Sequence, residues 1–240
     1  MAKVGRLSLG MLIIALSVYF SIGTFQDDEL YFNISEENIE AAEEVKIAQE
    51  ALLNVPLLNQ MDAPQLKSGC EVTSLAMLLS YKGVEVSKNQ LADEIAKVPF
   101  KYPTGENGNP NFGFVGDMAN GAGLGVYNRP IAELAEKYAG DRVINLTNQP
   151  FDVLLNEVAA GNPVWILTTK SFAPVSDFKT WETPQGVVDI TYSMHSVVIT
   201  GYEPENIIIN NPYGQKNQKW PRDSFIQAWQ QMGSQAIVIR

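Results

Sequence analysis

Apolar residues recur every three or four positions through the first half of the chain and crowd into short runs beyond Asn162, a change of period that calls for helices first and a sheet after them. Val72, Leu75, Ala76 and Leu79 have helical spacing, so a helix is expected from near Cys70 to a stop at Gly83. A second is expected over about Asn89 to Val98, where Ser87 and Gln90 have the spacing of a capping box. Two more are expected after Pro130 and Pro150, the latter closed by Gly161. Strands are expected over Val164 to Thr169, Val187 to Tyr192, Ser196 to Gly201, Ile207 to Asn210 and Ala236 to Ile239, with Pro204-Glu205-Asn206 as a hairpin turn. A helix carrying Phe225, Ile226, Trp229 and Met232 interrupts them. The expected fold class is α+β, with a helical first half and an antiparallel sheet in the second. Between Thr104 and Gly125 lie 7 of the 18 glycines, which predicts a mobile surface loop with Phe112, Phe114 and Asp117 as candidates for substrate selection.

The N-terminal residues have a different character. No charge occurs from Leu7 to Gln26, a run long enough, at about 1.5 Å per helical residue, to cross a bilayer. Lys3 and Arg6 precede it, which places the N-terminus in the cytoplasm and the remainder outside. Residues 1–26 are therefore expected to be a membrane anchor, or else a cleaved signal peptide with Ser21-Ile22-Gly23 as its cleavage site. The net charge is −10, of which −8 falls within residues 27–50 and −4 within 51–240, offset by +2 before them. Residues 27–50 are expected to be an acidic spacer ending in a short helix capped by Ser35, and residues 51–240 the folded domain. The acidity argues against nucleic acid as a partner.

Chemistry is confined by two counts. The chain has one cysteine, Cys70, and one histidine, His195, so no intramolecular disulfide forms and any cysteine or histidine chemistry uses these residues. Cys70 begins a helix, where the dipole and free N–H groups are expected to favour thiolate and lower the thiol pKa. His195 heads an apolar strand, and Asn210 and Asn211 close the next one, where a side-chain amide can orient an imidazole. No metal or cofactor is expected, because one Cys and one His at this separation have no zinc-site spacing and no calcium-loop pattern occurs.

Gly69-Cys70-Glu71-Val72-Thr73-Ser74-Leu75-Ala76-Met77, with Gln60 upstream, resembles the nucleophile region of free-standing relatives of the bacteriocin-processing cysteine peptidases, a papain-like family. Gly113 to Asp117, Gly125-Val126-Tyr127, His195 to Val198, Asn211-Pro212-Tyr213-Gly214 and the Phe225 to Gly233 segment are further matches, so the resemblance spans about residues 53–240. It implies a papain-like fold with Cys70 as nucleophile, His195 as general base, Asn211 as the orienting group and Gln60, with the Cys70 backbone N–H, as the oxyanion hole. Gln65 is a second candidate for the role of Gln60. Two residues depart from the family pattern: Glu71 stands where glycine often follows the cysteine, and Asn211 where aspartate often precedes the proline. The expected function is a cysteine peptidase acting on peptide or protein substrates outside the cytoplasm. The alternatives are a cell-wall amidase or endopeptidase of the same fold, and an inactive anchored binding module.

Overall fold

The computed structural model describes residues 49–240. The expected anchor, and all of the expected spacer except Gln49 and Glu50, lie outside the described residues. Among the described residues no helix is long and apolar enough to cross a membrane.

A short strand β1 (Ala51–Leu52) leads through an extended segment to the helix α1 (Cys70–Tyr81). Helix α2 (Lys88–Glu94) follows, its N-terminus capped by Ser87, whose hydroxyl accepts from the Gln90 N–H at 3.1 Å. It stops short of the expected Val98, because Lys97–Val98 pairs as β2 with β3 (Phe114–Val115). Helix α3 (Asn128–Ala139), strand β4 (Val143–Asn145) and helix α4 (Phe151–Ala159) complete the helical half. The second half contains β5 (Val164–Thr169), the hairpin β6 (Lys179–Thr183) and β7 (Gly186–Ile190), then β8 (Met194–Tyr202), β9 (Asn206–Asn211), β10 (Gln215–Pro221), α5 (Arg222–Gln231) and β11 (Ala236–Ile239). The main sheet is antiparallel, in the order β10-β9-β8-β5-β11-β4, with β1 added to the end of β8. The α+β class expected from the sequence is the one observed.

Alternation along β5 explains the layers. Trp165 and Leu167 face α1, α2 and α3 in one apolar core, and Val164 and Ile166 face α4 and α5 in a second. The sheet is thus covered on both faces, and every residue of β5 and β8 is buried. Helix α1 sits deepest, with its residues from Cys70 to Leu79 all buried, including Glu71, Thr73 and Ser74.

The glycine-rich stretch is only in part the surface loop expected: Thr104, Gly105, Phe112, Asp117 and residues 120–122 are exposed, but its middle is folded in. Phe114 and Val115 are fully buried, and Gly116 bridges to Gly123. Its glycines permit close backbone approach: Gly116 has φ +89°, and a Cβ there would collide with the carbonyl oxygen of Ala122. Phe114 is thereby excluded from substrate selection. Replacing Gly116 with Ala is expected to cost about 1–3 kcal/mol of stability, read as a lower urea midpoint.

Candidate active site

Helix α1 delivers Cys70 as its first residue, after Gly69, and β8 delivers His195 near its start. The helix and the strand are tied together one turn further on, where the Ser74 hydroxyl donates to the Ser196 carbonyl at 3.2 Å. Cys70 and His195 consequently line one small cavity of about 120 Å³, together with Gln60, Lys170 and Tyr213. Both side chains are almost wholly withdrawn from solvent, Cys70 at 8% exposure and His195 at 1%.

The two asparagines divide cleanly. Asn210 is structural: its amide donates to the Val55 carbonyl at 3.0 Å and its oxygen accepts from the Asn217 N–H. Asn211 meets the histidine, with its Oδ1 3.0 Å from His195 Nε2. That same oxygen accepts the Tyr213 backbone N–H at 3.1 Å, which identifies it as the acceptor atom. His195 Nε2 must therefore carry the proton in this bond, and in the neutral ring Nδ1 holds the lone pair. Nδ1 is buried and makes no hydrogen bond. Tyr213 stacks on the imidazole at 5.1 Å and 15°, so the ring is held from one edge and one face. Sequence reasoning assigns Tyr213 no role; only its place two residues after Asn211 points to it.

Gln60 is fully buried in the cavity wall, and its backbone N–H donates to the Pro212 carbonyl at 2.7 Å, tying it to the turn that follows β9. Its side-chain amide donates to the carbonyls of Leu66 at 3.0 Å and Lys67 at 3.1 Å. Both amide hydrogens are thus committed, and neither faces an incoming carbonyl. Gln65 is exposed, lines a different depression and is not brought to the cysteine.

Glu71 stands out in the sequence only as a departure, yet its carboxylate is in contact with the thiol. Its Oε2 accepts from the Cys70 thiol at 3.3 Å and its Oε1 from the Val126 N–H at 3.1 Å. Burial pushes its carboxyl up from the ordinary 4.5 to about 7. The thiol is also raised, well above 9, by burial first and then by the Glu71 charge. The helix N-terminus therefore does not yield the lowered thiol pKa expected from the sequence, because desolvation and a neighbouring carboxylate outweigh the dipole. Burial likewise lowers His195 from 6.5 to about 4. Lys170, just beyond the end of β5, works in the opposite sense on the thiol, favouring thiolate.

These shifts give stability two opposed slopes. Glu71 has a raised folded pKa, so its contribution is fully present below 4.5 and is lost as pH rises towards 7. His195 has a lowered folded pKa, so the fold loses stability as pH falls from 6.5 through 4. Glu71→Gln is expected to gain stability over the native chain progressively from pH 4.5 to 7 and no further above it, measured as the difference in urea midpoints.

A model described as the Peptidase_C39 like family matches residues 52–237, a span that includes every residue of this cavity. The chain belongs to that family. It is 56% identical over 188 residues to the uncharacterized protein YvpB of Bacillus subtilis (strain 168), an alignment covering 78% of this chain and 75% of YvpB. It is also similar to the crystal structure of a protein described as a C39-like peptidase from Bacillus anthracis, with 46% identity and a TM-score of 0.77 over 80% of this chain and 98% of that one. The C39-like, papain-like architecture that the Cys70 and His195 segments imply is thus the one present. Among the described residues no group of three His, Cys, Asp or Glu side chains is placed to hold a metal ion.

Proposed function

We propose that this C39-like protein is a cysteine peptidase that hydrolyses peptide bonds of peptide or protein substrates. The observation that carries the reading is the His195 bond to Asn211, which leaves an unpartnered Nδ1 lone pair in the same cavity as the only thiol of the chain. In the proposed reaction the thiol proton passes to His195 Nδ1 as Sγ bonds to the substrate carbonyl carbon. Imidazolium then gives that proton to the departing amine as the C–N bond breaks. Water attacks the thioester, His195 Nδ1 takes its proton, and the thiol re-forms as the acid product leaves. Asn211 fixes the ring throughout. The Cys70 backbone N–H is one oxyanion donor, and Gln60 becomes the second by releasing the Leu66 or Lys67 carbonyl on substrate entry.

The charge-free run from Leu7 to Gln26, preceded by Lys3 and Arg6, supports placing this activity outside the cytoplasm. A second reading, an inactive peptide-binding module, is favoured by the burial of Cys70 and by its bond to Glu71. Incubating the full chain with an unbiased peptide library, beside Cys70→Ser, separates the two. Cleavage products from the native chain alone establish the peptidase, and intact peptides in both samples leave the binding module.

A further inference from the structure

The proposed peptidase reaction makes no use of Glu71, although this side chain touches the nucleophile. Its carboxylate is fully buried, and both oxygens are engaged, one by the Cys70 thiol and the other by the Val126 N–H. The surroundings are shaped to admit it: a Cβ at Gly125 would collide with Glu71 Oε1, and the Glu71 carbonyl accepts from Trp165 Nε1 at 3.0 Å. A carboxylate in a dry site beside a thiol does more than fill space, because two negative charges at this separation repel strongly where solvent cannot screen them.

We propose that Glu71 is a positioning residue for the nucleophile: its charged carboxylate holds the Cys70 proton, and Cys70 is released for reaction with His195 when Glu71 is neutral. The inference rests on the reading of Cys70 as the nucleophile. While Glu71 is charged, the thiol hydrogen is donated to Oε2 and not to the Nδ1 lone pair, and ionising the thiol would place a second negative charge in the site. Once Glu71 is protonated, its hydroxyl can donate to sulfur, which stabilises thiolate instead. Among the described residues, ionisable groups face it or its cavity from several elements. Cys70 lies on the same helix, Lys170 approaches from the end of β5, Tyr213 from the turn after β9, and His195 lines the cavity from β8. Lys170 donates to the Tyr192 carbonyl at 2.9 Å and moderates the carboxylate charge without pairing with it. The raised carboxyl pKa places the change near pH 7, so peptide hydrolysis is expected to fall as pH rises through that value.

The test is the rate of Cys70 alkylation by iodoacetamide from pH 5 to 9 in the full chain, which has no other thiol to label, compared with Glu71→Gln. Glutamine keeps an acceptor for Val126 and turns an amide donor towards sulfur, mimicking the neutral acid. The two proteins are expected to react at equal rates below pH 6 and to diverge above 7, with the variant about tenfold faster at pH 8. A variant that is folded and no faster than native at pH 8 overturns the proposal. If the variant does not fold, the native profile decides alone. Its rate should level off between about pH 7 and 8.5, whereas a tenfold rise per unit across that range, as for a thiol that ionises above it with no coupled carboxyl, overturns it. Failure of the nucleophile reading shows elsewhere, as peptide hydrolysis that survives Cys70→Ser.

Discussion

Replacing His195 with Ala is expected to lower kcat for peptide hydrolysis by about 10²–10⁴-fold while leaving KM nearly unchanged. The thiol is held well above its ordinary pKa by burial and by Glu71, so almost none of it is thiolate at neutral pH and an acceptor must take its proton during attack. Nδ1 of His195 is the buried, unpartnered nitrogen lone pair in that cavity. The substitution is well suited to kinetics because Asn211 Oδ1 keeps the Tyr213 N–H as partner and is not orphaned. Asn211→Ala should cost less than His195→Ala, since it removes the group that selects the tautomer and leaves the base in place. Single-turnover measurements on a peptide chosen from the library decide the matter. A loss under tenfold for His195→Ala would remove the histidine from the reaction.

Trp165→Ala is expected to destabilise the fold by about 3–5 kcal/mol. The indole is fully buried on β5, facing the core beneath α1, and its Nε1 donates to the Glu71 carbonyl in the first turn of that helix. Truncation thus removes a large packing group and leaves a buried carbonyl without its donor. Trp165→Phe separates the two contributions: most of the packing is retained, and the loss should fall to about 1–2 kcal/mol, the cost of the hydrogen bond and the smaller ring. Denaturant titration measures both. If Phe proves as damaging as Ala, the indole N–H and not the ring volume holds α1 on the sheet.

The parts of this molecule that can be inferred from residues alone are those where one local pattern decides the outcome. Strands β5 and β11 run over the residues expected, because Val-Trp-Ile-Leu-Thr-Thr and Ala-Ile-Val-Ile are continuous runs suited to burial on both sheet faces. Strand β10 escapes notice because it lies at the edge of the sheet and reads Gln-Lys-Asn-Gln-Lys-Trp-Pro, with no buried residue to set a period. Strands β4 and β6 are hidden as well, the first being three residues long and the second largely exposed. At the site, the succession of helix-start Cys70, strand-start His195 and strand-end Asn211 is visible, since each stands at a recognisable boundary. The burial of Glu71 is not, because glutamate is ordinarily a surface residue and only tertiary packing brings Gly125, Val126 and Trp165 around it. The same enclosure explains why helix position alone misjudges the thiol: a dipole acts locally, whereas desolvation depends on everything packed around it.

The depth of α1 bears on how this protein fails under heat. A nucleophile on a rim loop would be lost early, by local fraying, while the body of the molecule stayed intact. Here the helix that begins at Cys70 is buried from that residue to Leu79, and the carbonyl of the next residue is anchored to a tryptophan in the centre of the sheet. Loss of the thiol's geometry therefore requires loss of the core itself. Thermal inactivation and global melting should share one midpoint, with no temperature interval in which a folded but inactive protein accumulates.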